Sequence, residues 1–160
     1  MRLLIAAVGK LKDGPERELY ARYAERIGAT GRAVGLGPLD LVELAESRAP
    51  TAGARMADEA SRLLARCSDA DVRFVLDERG KSISSQAFAD RLRDIKDRST
   101  GSLAFLIGGA DGHGEAARAA AGTTLSLGPM TLPHGLARIV LAEQIYRAIT
   151  ILTGHPYHRA

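Results

Sequence analysis

The last seven residues, Gly154-His155-Pro156-Tyr157-His158-Arg159-Ala160, put two imidazoles, a phenol and a guanidinium where chain ends usually carry small polar groups. Together they offer a proton acceptor, a stacking ring and a cation, a set suited to an anionic substrate. A disordered tail and a metal site are the alternatives. His155 and His158 stand three apart, but no Cys or carboxylate cluster completes a ligand set and Pro156 breaks the helix that would align them, so no metal is assigned. The reading adopted is a tail that folds over an anionic substrate.

Three further segments carry unusual chemistry. Gly108-Gly109-Ala110-Asp111-Gly112-His113-Gly114 holds four glycines in seven residues. Such a loop lets backbone approach an adenosine or phosphate closely, or serves only as a tight strand-to-helix turn. It fits neither GxGxxG nor GxxxxGK[ST], so dinucleotide and nucleoside-triphosphate binding are unsupported. His113 within it reads as an exposed turn residue. Asp77-Glu78-Arg79-Gly80-Lys81-Ser82 places four charges in five residues, suited to ribose hydroxyls and phosphate or simply to a solvated turn. Leu127-Gly128-Pro129-Met130-Thr131-Leu132-Pro133-His134-Gly135 is an apolar loop bracketed by prolines and glycines, which must be buried against a ligand or against the chain itself.

These segments need a scaffold, and the hydrophobic periodicity supplies it. Short apolar runs at Leu3 to Val8, Leu39 to Leu44, Val72 to Leu76, Leu103 to Ile107 and Thr124 to Leu127 read as strands. Between them, Leu19, Tyr20, Tyr23, Ala24 and Ile27 mark a helix opened by Pro15 and closed by Gly28. Ala54 to Cys67 marks a second helix, and Phe88, Leu92 and Ile95 a third, after Ser84 or Ser85. A short Ala-rich helix at Glu115 to Ala121 and a long one from Gly135 to Thr153 follow. This alternation predicts a single α/β domain over residues 1–160, with a mainly parallel sheet and helices on both faces. Ligands of such sheets bind beyond the carboxyl ends of the strands, where the unusual loops fall.

The last helix is apolar over more than half its circumference, with Glu143, Arg147 and Thr150 on one narrow side. That pattern predicts cover on more than one side, by the sheet and by a second subunit. Arg138 falls inside the apolar stripe and either escapes from the first turn or is paired for a purpose.

Composition narrows the function classes. Apolar residues make up 46% and charged residues 26% of the 160, as in an ordinary globular domain. Lys and Arg number 22 against 19 Asp and Glu, a net charge of +3, and residues 81–160 hold the whole excess with 9 basic against 6 acidic. A polyanion would be met there. Cys67 is alone and forms no internal disulfide, which favours a cytoplasmic location. The longest apolar candidate, Leu136 to Leu152, is interrupted by Arg138, Glu143, Gln144 and Arg147, so no membrane span is expected.

Ile107-Gly108-Gly109-Ala110-Asp111-Gly112, Leu132-Pro133-His134, Leu141-Ala142-Glu143-Gln144-Ile145-Tyr146-Arg147-Ala148 and the ending His155-Pro156-Tyr157-His158-Arg159 together resemble the ribosomal RNA large subunit methyltransferase H family. The resemblance runs from Val8-Gly9-Lys10 to the C-terminus, with its discriminating motifs in the final 60 residues. It implies the SPOUT class: a sheet whose C-terminal part is threaded into a trefoil knot, a homodimer, S-adenosylmethionine in the knot, and N3-methylation of a pseudouridine in large-subunit (23S) rRNA within a ribosomal particle. Connection rules alone argue against a knot. By position, the implied cofactor contacts fall on Leu76, Gly108, Gly109, Leu127, Gly128, Pro129, Met130, Thr131, Leu132 and Pro133.

The expected chemistry is methyl transfer to a ring nitrogen that must first lose its proton. His158 is the first choice of base and Glu143 the second. Arg159, with Arg138 or Arg147, would hold phosphate or the developing oxyanion, and Tyr157 would stack. The tail is expected to act on RNA at the partner subunit's site. No metal is required, since the leaving group is a neutral thioether. The competing reading is a non-catalytic RNA-binding module of a ribosome-assembly factor.

Overall fold

The two-residue alternation of the opening strand sets the layers. In the computed structural model, which describes residues 1–98 and 101–158, β1 (Arg2–Val8) turns Leu3, Ile5 and Ala7 to one face of the sheet and Ala6 and Val8 to the other. Both faces are apolar, so both need a helical layer. The chain continues as α1 (Pro15–Thr30), a 3-10 turn at Gly31–Val34, β2 (Leu39–Leu44), α2 (Ala52–Arg66), β3 (Val72–Ser82) and α3 (Ser85–Arg98). It ends as β4 (Ser102–Ile107), α4 (Glu115–Ala121), β5 (Gly122–Ser126) and α5 (His134–Thr153).

All strand pairs are parallel, in the order β2-β1-β4-β3-β5. The steps from β1 to β2 and from β3 to β4 move toward the β2 edge and cross on the face of α1 and α3. The steps from β2 to β3 and from β4 to β5 move the other way and cross on the face of α2 and α4. A single crossover hand requires this pairing of direction with face. On the α1–α3 side the core centres on Phe105, with Phe74 edge-on at 5.5 Å and Phe88 at 6.1 Å. Among the described residues no helix is long and apolar enough to cross a membrane.

Several expectations change in three dimensions. Gly28 does not close α1, because its φ is not positive; the chain runs on through the 3-10 turn and stops at Gly35, at φ +68°. α2 begins at Ala52, with Thr51 accepting the Ala54 amide at 3.2 Å, and Ser84 caps the third helix by accepting from Ala87 at 3.1 Å. Asp77 to Ser82 is not a solvated turn. It prolongs β3, which pairs Leu76 with Leu125, breaks register, and pairs Lys81 with Leu125 and Ser82 with Ser126. Gly80 lies against the β5 backbone, where a Cβ would stand 2.8–2.9 Å from Thr124 and Leu125 main-chain atoms.

α5 is covered by its own chain. It lies on the sheet between α1 and α3, which bury Leu141, Ile145 and Ile149, so its wide apolar surface does not itself call for a second subunit. His113 is buried rather than an exposed turn residue: its Nε2 donates to the Leu106 carbonyl at 3.1 Å.

Candidate active site at the carboxyl edge of the sheet

Because every strand is parallel, all their carboxyl ends open on one edge. There a cleft of about 340 Å³ lies between the end of β3, the start of α3, the loop after β5 and α5. Phe88, Leu125, Leu127, Val140 and Leu141 give it apolar walls, and Ser82, Ser84, Ser85 and Gln144 give it polar groups. Its volume is at the small end of ligand sites. The Ser126 hydroxyl shapes the rim, accepting from the Gly128 amide at 3.1 Å and donating to the Gly128 carbonyl at 3.0 Å. Gly128 has φ +125°, and a Cβ there would meet nothing within 4 Å.

The expected cofactor residues divide around this cleft. Leu127 and Gly128 line it, and Leu76 borders it opposite Leu125. Pro129 and Met130 are exposed, Met130 at 80%. Thr131 hydrogen-bonds Glu78 at 3.5 Å, Leu132 is half-buried, and Pro133 precedes the first turn of α5. Gly108 and Gly109 sit one strand beyond β3, at the end of β4, outside the cleft lining.

In that glycine loop the chain itself demands the glycines. A Cβ on Gly108 would stand 2.9 Å from the Gly112 carbonyl oxygen, and one on Gly109 would stand 2.7 Å from Glu59 Oε2. Gly112 donates back to Gly109 at 3.0 Å, and Arg55 forks onto Asp111 at 2.7 and 3.2 Å, holding that carboxyl below the usual range. On the far side of the loop, Arg118 bonds Asp77 at 2.7 Å. Burial pushes the Asp77 carboxyl up, but the Arg79 amide and Arg118 outweigh it and hold it low.

Arg138 is paired, and for an internal purpose. Only 1% exposed, it reaches the carbonyls of Val8 at 2.6 Å and Gly9 at 2.7 Å and Glu43 Oε1 at 2.8 Å, tying α5 to the end of β1. Burial draws its pKa down while Glu43 opposes the fall. The guanidinium therefore faces its own strand ends, not an incoming RNA.

The tail folds back on its own subunit. Tyr157 donates to Glu143 Oε1 at 3.0 Å, lies 3.3 Å from the Tyr23 hydroxyl, packs on Tyr146 at 4.7 Å and carries the Arg147 guanidinium 5.2 Å over its ring. Burial and these bonds to Tyr23 and Glu143 push its phenol up. Glu143 Oε1 also takes two donors from Arg147, and Glu143 Oε2 takes the Gln144 side-chain amide, so both oxygens already accept hydrogen bonds within the subunit. His158 is half-buried, with a buried Nδ1 that has no partner among the described residues. Arg159 lies outside the described residues.

A family model described as Predicted SPOUT methyltransferase matches residues 1–158. Over 160 residues, spanning all of both chains, the sequence is 51% identical to the Ribosomal RNA large subunit methyltransferase H of Xanthobacter autotrophicus and 53% identical to that of Rhodopseudomonas palustris strain TIE-1. The chain belongs to the ribosomal RNA large subunit methyltransferase H family. A probable methylase family protein from Haemophilus influenzae shares the fold, with a TM-score of 0.53 over 99% of this chain and 70% of that chain at 12% identity.

In this methyltransferase H chain the sequence marked Tyr23 only as a helix-face residue, Ser84 or Ser85 only as an N-cap, and Ser82 and Gln144 only as members of longer segments, without a site role; Glu59 was missed, although it interrupts the apolar stripe of Met56, Ala60 and Leu63 on α2.

Proposed function

We propose that this protein transfers a methyl group from S-adenosylmethionine to large-subunit (23S) rRNA, at N3 of a pseudouridine. The observation that carries the reading is the cleft at the carboxyl edge, in a chain of methyltransferase family. Its residues fit the cofactor: apolar walls suit an adenine ring, the serines and Gln144 suit its polar edge, and the open space over Gly128 leaves backbone accessible. Leu76, Leu127 and Gly128 would hold it, with Gly108 and Gly109 at the neighbouring strand end. When bound, the group supplies a sulfonium methyl whose departure leaves a neutral thioether. The passage of Gly80 over the backbone of Thr124 and Leu125 supports a threaded, knotted C-terminal part, since side-by-side strands do not bring a Cβ that close to a neighbour's main chain.

This chain's part is to position the base and take its proton. The N3–H bond breaks as N3 gains the methyl carbon, and His158, whose Nδ1 has no partner among the described residues, is the proton acceptor ahead of Glu143. Tyr157, its chain neighbour, carries the Arg147 guanidinium over its ring, and Arg159 would add a second cation toward phosphate. A homodimer fits Met130 and Leu136, large apolar side chains left 80% and 42% exposed around the start of α5. For the tail to reach a partner's site it must leave the Glu143–Tyr23 contacts.

Mass mapping of 23S rRNA from a deletion strain, before and after treatment with the purified protein, tests the activity. A single methyl gained on one pseudouridine is expected; unmodified rRNA, despite binding, would establish the non-catalytic RNA module. Light scattering should give about twice 17.0 kDa.

A further inference from the structure

Glu59 is a buried carboxylate of which the fold uses only one oxygen. It is 4% exposed within the apolar stripe of α2. Its Oε1 accepts from the Ser47 amide at 2.8 Å. Its Oε2 is shut away from water and has no hydrogen-bond partner among the described residues. That oxygen is aimed at the glycine loop, 2.7 Å from where a Cβ on Gly109 would be. A buried acceptor left unpaired is costly, and such groups mark places where a donor arrives from elsewhere.

We infer that Glu59 is a cofactor-binding residue, whose Oε2 takes a hydrogen bond from an O–H or N–H donor of the bound adenosyl ligand when the Gly108 to Gly112 loop shifts. This rests on the cofactor reading above. The loop ends on the same edge as the cleft, two strand spacings or about 10 Å away across β3, and α2 lies on the sheet face opposite α3 and α5, so the donor reaches Oε2 over the strand ends. Gly112 sits at φ +78° with nothing within 4 Å of where its Cβ would be, and its amide donates to Gly109 at 3.0 Å. The Arg55–Asp111 pair, one helical turn before Glu59 on α2, anchors the loop from outside. An adenosyl ligand has three donors of this class, the ribose hydroxyls, the adenine amine and the amino-acid ammonium.

The test is calorimetric titration of the full chain and its Glu59→Gln variant with S-adenosylhomocysteine and with 5′-methylthioadenosine, beside thermal melts without ligand. Gln Oε1 can still accept from Ser47, while its amide replaces the acceptor at Oε2 by a donor. The expected result is a Kd for S-adenosylhomocysteine raised about 10-fold, or about 1.4 kcal/mol, with Tm unchanged or higher. An equal loss with 5′-methylthioadenosine assigns the donor to the adenosine part, a ribose hydroxyl or the adenine amine; a loss confined to S-adenosylhomocysteine assigns it to the ammonium. Unchanged affinity overturns the inference, and a lowered Tm with unchanged affinity shows a purely structural residue. Should Glu59→Gln not fold, Glu59→Asp, which keeps the charge but shortens the reach by one methylene, must give the same loss of affinity or the inference fails. Failure of the unaltered chain to bind either ligand would instead overturn the cofactor reading.

Discussion

Replacing Arg138 by Ala separates a tie within the subunit from a catalytic cation. The substitution removes three short charge-assisted bonds, to Val8, Gly9 and Glu43, from a site 1% exposed. Breaking a buried ion pair typically costs about 3–5 kcal/mol. The lower end applies, because Glu43 keeps the Leu11 amide at 2.7 Å and Arg17 at 3.5 Å. The carbonyls of Val8 and Gly9 lose their side-chain donor. A loss of about 3 kcal/mol in a chain of this size lowers Tm by roughly 6–12 °C. Arg138→Lys should fall between, since one ammonium cannot match the guanidinium fork across three acceptors. Urea denaturation at neutral pH, followed by circular dichroism, measures the loss. An Arg138→Ala protein within 1 kcal/mol of the parent that nevertheless fails to methylate rRNA would refute the tie and return Arg138 to the chemistry.

Tyr20 is buried with a hydroxyl that has no partner among the described residues, and burial, then Asp40 and Glu43, push its phenol up. Unfolded tyrosine loses its proton near pH 10, so the stability this residue confers is complete below that pH. Above it, stability falls by about 1.4 kcal/mol per pH unit. Tyr20→Phe should be neutral at pH 7 and lessen that alkaline loss in urea melts, and an unchanged slope would count against the assignment. Burial lowers the pKa of His113, opposed by its Leu106 bond and Asp77, so its contribution is intact above about pH 6.5 and declines as pH falls below it. An NMR titration placing His113 at the unperturbed value would contradict this. Burial pushes the Cys67 thiol up to about 11. Its reaction with a disulfide reagent at pH 8 should be about 100-fold slower than that of a free thiol and should accelerate in denaturant; fast reaction in the native protein would show that the site opens.

Side-chain periodicity is a local property, and it carried the α/β class. The alternating inward positions of Leu3, Ile5 and Ala7 and the helical spacing of Leu19, Tyr23 and Ile27 depend only on how a strand or helix aims successive Cβ atoms. So does the first-turn Pro15, which needs no distant partner. The loops after Leu76, Ile107 and Ser126 stood out by composition, and the parallel sheet brings them to one edge. The C-terminal motifs were enough to point to the family.

What the tertiary structure alone decided depends on partners far along the chain. Asp77 to Ser82 has the charges of a turn, yet part of it pairs as strand, because Leu125 and Ser126, more than forty residues later, offer backbone groups to Lys81 and Ser82. The breadth of the apolar surface on α5 shows that it must be covered, but not whether a partner subunit or α1 and α3 cover it. Arg138 was ambiguous because its acceptors lie about 130 residues away at the end of β1. Glu143 and Tyr157 were assigned to substrate by type, whereas their hydrogen bonds to each other and to Tyr23 exist only once α1, α5 and the tail converge. A residue's chemical type is written in the chain, but the groups that satisfy its hydrogen bonds are chosen by packing, and buried polar groups answer to those partners.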